Sequence, residues 1–135
     1  MTRRFLLNAI LPALCVRPLR ADSASKTAAR GRLEPPGTLV LRDGRHIHLT
    51  GDEPTQGVLN DKRLAGTDFE ALGHFTGSDQ FAVDPIHLRA MFVYQGGKQR
   101  MVTYWCDVCY IRTYTPGICW CCQKYTDLDL IDPGA

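Results

Sequence analysis

YWCDVCYIRTYTPGICWCCQKY, residues Tyr104 to Tyr125, holds five of the chain's six cysteines and decides how its C-terminal part is built. Cys106 and Cys109 form one Cys-x-x-Cys and Cys119 and Cys122 a second, with nine residues between the pairs. Those residues include Thr115-Pro116-Gly117-Ile118, a type II turn signal. Proline fixes φ for the second turn position and glycine supplies the positive φ of the third. Tyr110–Tyr114 is β-branched and aromatic, which reads as a strand running into that turn. The turn then carries the second cysteine pair back beside the first. Four thiolates converging in this way make a tetrahedral zinc site, with Cys106, Cys109, Cys119 and Cys122 as ligands. A hairpin stapled by disulfides, Cys106 or Cys109 to Cys119 or Cys122, stays open as the alternative because spacing does not fix connectivity.

The two knuckles resemble those of zinc ribbons and of rubredoxin, over Cys106 to Cys122. The first resemblance implies a structural zinc ion; the second implies iron and electron transfer. Two features depart from the pattern. Tyr110 and Gln123 follow the cysteine pairs where glycine is common, and Cys121 is inserted inside the second knuckle. With a gap of two residues between Cys119 and Cys122, Cys121 is expected to be the spare thiol. Trp105 and Trp120, each beside a knuckle, are expected to screen the site from water.

Working back from Cys106, Lys98–Trp105 and Leu88–Tyr94 flank Gly96-Gly97, a two-residue hairpin loop. Pairing through that loop places Leu88, Ala90, Phe92, Met101, Thr103 and Trp105 on one apolar face, the expected core. Further upstream, Thr38–Arg42 and Arg45–Thr50 alternate around Asp43-Gly44, a second hairpin signal. On its second strand Ile47 and Leu49 face inward and His46 and His48 outward. A His-x-His face either binds copper or zinc or is simply solvated. Gly51–Gly57 reads as loop, Val58–Gly66 as a turn or two of helix ended by glycine, and Phe69–Phe75 as a strand. Gly77-Ser78-Asp79 turns the chain into a short strand at Phe81–Val83. His87 is a further candidate beside the metal ligands, either orienting a thiolate or satisfied in a half-buried position.

The expected architecture is therefore mainly β: a small barrel or roll with one short helix over residues 38–105, then a metal-binding hairpin and tail over 106–135. Leu64-Ala65-Gly66 followed by Phe69-Glu70-Ala71-Leu72-Gly73 resembles small OB-like modules, in which a loop and helix feed a curved strand. The region from about Gly37 to Leu130, with WCDVC and CWCCQ, also resembles a group of exported bacterial Cys-rich proteins. That resemblance implies a fold and a location and no particular activity.

Charge divides the chain. Residues 1–30 carry six Arg or Lys against a single Asp22, whereas the rest has 10 basic and 13 acidic side chains, a balance of −3. A body of that sign offers nucleic acid no general electrostatic grip, which opposes the nucleic-acid contacts a zinc-ribbon resemblance would imply. The first 30 residues read as an export leader, with residues 31–37, including Glu34-Pro35-Pro36-Gly37, as a linker. Thr2-Arg3-Arg4 is a charged start, and Phe5–Val16 is an apolar run too short to span a bilayer. Thr2-Arg3-Arg4-Phe5-Leu6-Leu7 resembles the twin-arginine export motif. Small residues from Ala21 to Ala29 offer cleavage points; Leu14 is too bulky to make Cys15 a lipoprotein cysteine. A mitochondrial transit peptide is the alternative reading of the same composition.

Phosphate loops, glycine-rich dinucleotide turns and nucleophile elbows do not occur in the sequence. Asp84, Asp127, Asp129 and Asp132 are scattered and read as solvated or capping groups. The expectation is a non-enzymatic, monomeric, periplasmic or secreted protein. Its structural zinc would support the binding of a protein or other envelope partner, without a transmembrane helix in the mature chain. Redox or electron transfer, and copper or zinc handling with Cys121 as a spare ligand, are the competing readings.

Overall fold

The computed structural model describes residues 26–134. The twin-arginine, apolar-run and Cys15 readings lie outside them.

Nine strands and one helix follow in chain order: β1 (Thr27–Glu34), β2 (Thr38–Val40), β3 (His46–Thr50), α1 (Glu53–Leu59), β4 (Asp68–Phe75), β5 (Gln80–Val83), β6 (Met91–Gln95), β7 (Lys98–Cys106), β8 (Ile111–Thr113) and β9 (Asp127–Ile131). The first five strands close on themselves in the order β1-β2-β3-β5-β4, and β4 returns to β1. Only the β3–β5 contact in this ring is parallel. With α1 between β3 and β4, this is an OB-like barrel.

Closure depends on two glycines. A Cβ on Gly73 would lie 1.9 Å from the Ala82 carbonyl oxygen, and one on Gly31 would lie 2.4 Å from that of Val40. Only glycine lets backbones approach so closely, at the points where β4 meets β5 and β1 meets β2. The interior is filled by alternating residues of β1 to β7, among them Leu33, Leu39, Ile47, Leu49, Phe69, Phe81 and Val93, all buried. Val58 and Leu59 of α1 and Leu64 of the 3-10 turn Lys62–Leu64 join this cluster.

The stretch expected as leader end and linker is instead structural. Thr27–Glu34 is β1, paired along six positions with β4, and its Ala29 and Leu33 are buried. Small residues at the inward positions hid the alternation, and Lys26 and Arg30 gave its start a leader's charge. The helix also starts earlier than expected. Asp52 caps it by accepting from the Thr55 N–H at 2.9 Å, and Pro54 sits in the first turn, where a missing N–H costs nothing. Leu88 belongs to a 3-10 turn, Ile86–Leu88, so β6 begins only at Met91.

The Gly96-Gly97 hairpin pairs Phe92 with Met101 and Gln95 with Lys98. Of the face expected as core only Ala90 joins the main core, which otherwise takes the other face, through Met91, Val93, Val102 and Tyr104. Phe92, Met101 and Thr103 are buried on the outer face, while Leu88 is exposed and Trp105 half-buried. Cross-strand neighbours cover that face: Glu70 lies beside Phe92, and Ile131 beside Met101.

β7 extends beyond the barrel. One stretch of it pairs with β6, its end pairs with β8, and β9 pairs along Met101–Trp105. The division expected between 105 and 106 is thus crossed by the tail. Leu128 and Leu130 of β9 pack against the barrel core. Among the described residues, no helix is long and apolar enough to cross a membrane.

Candidate metal centre

Cys106 is the last residue of β7, delivered by a strand whose Val102 and Tyr104 are anchored in the core. The chain then turns through Asp107 and Val108 to Cys109, and β8 returns along β7 with Ile111 opposite Cys106. Cys119 and Cys122 lie in a second tight turn, closed by the Ile118–Tyr125 bridge.

The four sulfurs Cys106, Cys109, Cys119 and Cys122 lie within 4.8 Å of one another. Cys106 and Cys122 are separated by 3.4 Å. A Zn–S distance of 2.3 Å puts tetrahedral sulfurs about 3.8 Å apart, so the cluster brackets the size of a metal tetrathiolate. Cys106 and Cys119 are buried, and Cys109 and Cys122 half-buried. All five cysteines among the described residues are free, Cys121 being the exposed one.

The knuckles repeat one geometry. In the first, the Tyr110 N–H donates to the Cys106 carbonyl at 2.9 Å; in the second, the Gln123 N–H donates to the Cys119 carbonyl at 2.6 Å. Tyr110 has φ +54° and Gln123 φ +63°. Both occupy the left-handed region that glycine usually fills, so the departure seen in the sequence leaves the backbone of the knuckle intact.

Local donors differentiate the thiols. Backbone N–H groups of Cys122 and then Cys121 pull the Cys119 thiol down to about 7. The neighbouring Cys121 thiol, and then burial, push Cys109 up. For Cys122 the Lys124 N–H acts downward, but burial and the Cys106 sulfur outweigh it and the thiol is raised. The surroundings of Cys119 thus favour its thiolate, the form that metal ligation requires.

The remaining candidates are placed elsewhere. His46 and His48 are exposed on β3, and His87 is exposed in its 3-10 turn; none belongs to the cysteine cluster. Trp120 does not screen the site: it is 83% exposed. Trp105 is half-buried, stacking edge-on against Tyr110 at 6.1 Å and lying under Arg112 at 4.8 Å. Val108, Tyr110, Ile118 and Tyr125 are exposed near Trp120 in sequence, an apolar dressing of both knuckles. Thr115-Pro116-Gly117-Ile118, expected as a type II turn, is an open bend instead, with Gly117 at φ +142° rather than near +80°. The Thr115 hydroxyl donates to the Pro54 carbonyl of α1 at 3.4 Å.

The sequence did not single out the polar clamp at the hairpin's base. Tyr104 donates to Asp61 at 2.9 Å, and Arg63 donates both to Asp61 and to the Thr126 carbonyl. Asp61 opens the 3-10 turn, inside the stretch Val58–Gly66 that the sequence presents as helix.

Comparison of the chain with protein-family models, with curated proteins and with solved structures found no match.

Proposed function

We propose that the chain is an exported, non-enzymatic protein whose two knuckles hold one structural zinc ion, and that it acts as a binding module at the cell envelope. The observation that carries the metal assignment is the convergence of the Cys106, Cys109, Cys119 and Cys122 sulfurs within 4.8 Å. Closed all-thiolate donor sets of this kind suit zinc in a structural role, leaving no open position for catalysis. The exposed Trp120, Tyr110 and Tyr125 supply large rigid anchors, the side chains that dominate interfaces, on a hairpin that the ion would stiffen. Export rests on the twin arginines and the basic leader.

The four thiolates also suit iron, and the partial exposure of Cys109 and Cys122 favours that second reading as an electron-transfer site. Elemental analysis of protein purified from its native compartment, with a visible spectrum, separates the two. One zinc per chain in a colourless protein is expected. A coloured ferric tetrathiolate would replace zinc by iron, and a metal-free, disulfide-linked protein would overturn both.

A further inference from the structure

Besides the metal centre, the barrel carries a groove of about 780 Å³ lined by Arg30, Arg32, Val40, Leu41, Arg42, Asp43 and Asp68, with Gly31 and Gly66 as bare backbone. That volume lies within the range of small-molecule sites, roughly 300–1,000 Å³. At Gly66, where φ is +76°, the position of a Cβ meets nothing within 4 Å, so this wall stays open.

Both carboxylates in the groove are already paired with arginine. Asp68 accepts from Arg30 Nε at 2.9 Å and from Nη2 at 2.8 Å, one oxygen each. Asp43 accepts from the Arg45 N–H at 3.0 Å and from Arg45 Nε at 2.9 Å, again one oxygen each. The arginines are not spent. Arg30 is held flat by Asp68 and by the Tyr94 ring 3.5 Å away, which leaves Nη1 free. Arg32 gives only Nη2, to Glu34. Arg42 lies near enough to Asp68 to favour its ionised form, yet among the described residues it makes no ion pair or side-chain hydrogen bond. The groove's side chains therefore keep guanidinium N–H donors free on Arg30, Arg32 and Arg42, while each carboxylate is already paired with an arginine. His46 stands directly across the β2–β3 ladder from Val40 and adds a further exposed ring at the margin.

We infer that this groove binds a small anionic molecule through an oxyanion group, phosphate or carboxylate, gripped by Arg42 with Arg30 and Arg32. Guanidinium forks match such oxygens bidentately, and Arg30 is already fixed in orientation by Asp68 and Tyr94. The exposed Arg32–Glu34 pair is cheap to rearrange, since surface ion pairs contribute little. The site lies on the barrel and does not depend on which metal the knuckles hold.

The test is an amide-shift titration of the full metal-loaded chain with inorganic phosphate, against chloride at matched ionic strength. Saturable shifts confined to residues 30–32, 40–43 and 66–68 are expected. Arg42→Ala should weaken phosphate binding roughly tenfold or more, because it removes charge-assisted hydrogen bonds. Lys124→Ala, an equal change of net charge on the knuckle, should leave the affinity within about twofold by the same measure. Shifts that do not saturate, that follow chloride equally, or that persist with unchanged affinity in Arg42→Ala would overturn the inference. Shifts centred on the cysteines would place the phosphate at the metal instead and overturn it too.

Discussion

Replacing Gln123 by glycine should tighten metal binding. Gln123 sits at φ +63° so that its N–H can reach the Cys119 carbonyl, and this hydrogen bond closes the second knuckle. An L-residue in that region costs about 1–2 kcal/mol, which glycine avoids. Glycine in turn loses more freedom on folding, about 0.5–1 kcal/mol. The Gln123 side chain is exposed and makes no hydrogen bond among the described residues, so nothing else is lost. The net gain is about 0.5–1 kcal/mol, or roughly two- to fivefold in affinity. It appears as binding energy because the knuckle forms around the metal.

Tyr110→Gly supplies the matching control. The backbone relief is the same at φ +54°, but the edge contact with Trp105 at 6.1 Å is removed. Aromatic pairs of this kind contribute about 0.5–1.5 kcal/mol, so the two effects should nearly cancel. Competition against a coloured zinc chelator measures all the variants. If Gln123→Ala tightens binding as much as Gln123→Gly, or if Gln123→Gly weakens it, backbone strain is not what the second knuckle stores.

Four other outcomes are expected. Cys121→Ser should retain one metal per chain by elemental analysis, whereas Cys106→Ser and Cys122→Ser should lose it; metal loss in Cys121→Ser would redraw the ligand set. Gly73→Ala should cost about 3 kcal/mol or more and lower Tm by roughly 10–20 °C, since β4 and β5 must separate to admit a Cβ; a melt within a few degrees of the parent would show that the barrel seam yields. The mature N-terminus should fall between Ala21 and Thr27, because later cleavage would strip residues that pair with β4; Arg3→Lys with Arg4→Lys should block export, and N-terminal sequencing of envelope protein that returns Met1 would contradict both. Chelation should abolish amide-exchange protection across residues 107–125 but leave it in β9, which is laddered to β7 from Met101 to Trp105; loss in β9 as well would mean that the metal holds more than the hairpin.

The hairpins were legible because their turns need a positive φ that glycine supplies, and Gly44, Gly96 and Gly97 all have it; the first loop nevertheless spans Arg42–Gly44, closed by the Leu41 N–H to the Arg45 carbonyl, rather than Asp43-Gly44 alone. Closure of the barrel was not legible. It depends on Gly31 and Gly73 letting backbones touch, and on β1, whose inward residues are Ala29, Gly31 and Leu33. Small side chains in a basic segment carry little of the large apolar alternation that announces a strand. The core face of β6 and β7 was misplaced for a related reason. With both faces buried, Phe92 and Met101 are as apolar as Val93 and Val102, and parity alone cannot choose between them. At the site, spacing picked out four cysteines whose sulfurs the fold brings within 4.8 Å of one another, but exposure depends on tertiary neighbours. Nothing in the local sequence separates Trp120, facing solvent, from Trp105, half-covered by Arg112 and Tyr110.

The metal hairpin and the barrel are joined at a polar clamp rather than by a simple linker. Tyr104 lies two residues before the first ligand, its ring fully buried, and burial pushes its hydroxyl pKa well up, so it remains a donor to Asp61. Burial acts to raise Asp61, but the Arg63 donors and the Tyr104 hydroxyl outweigh it and hold the carboxyl below its ordinary range. Arg63 then spans from Asp61 to the carbonyl of Thr126, whose own hydroxyl reaches back to the Gly117 carbonyl at 3.1 Å. One 3-10 turn thus grips the strand that leads into the knuckles and the chain that leaves them. Asp61 contributes stability above the ordinary carboxylate pKa, and that stability is lost as pH falls through its depressed folded value. The clamp fixes both ends of residues 107–125 while leaving the span between them few buried side chains of its own. Ordering that span is the part of the fold that falls to the four sulfurs, which is why a structural ion fits this position better than a catalytic one.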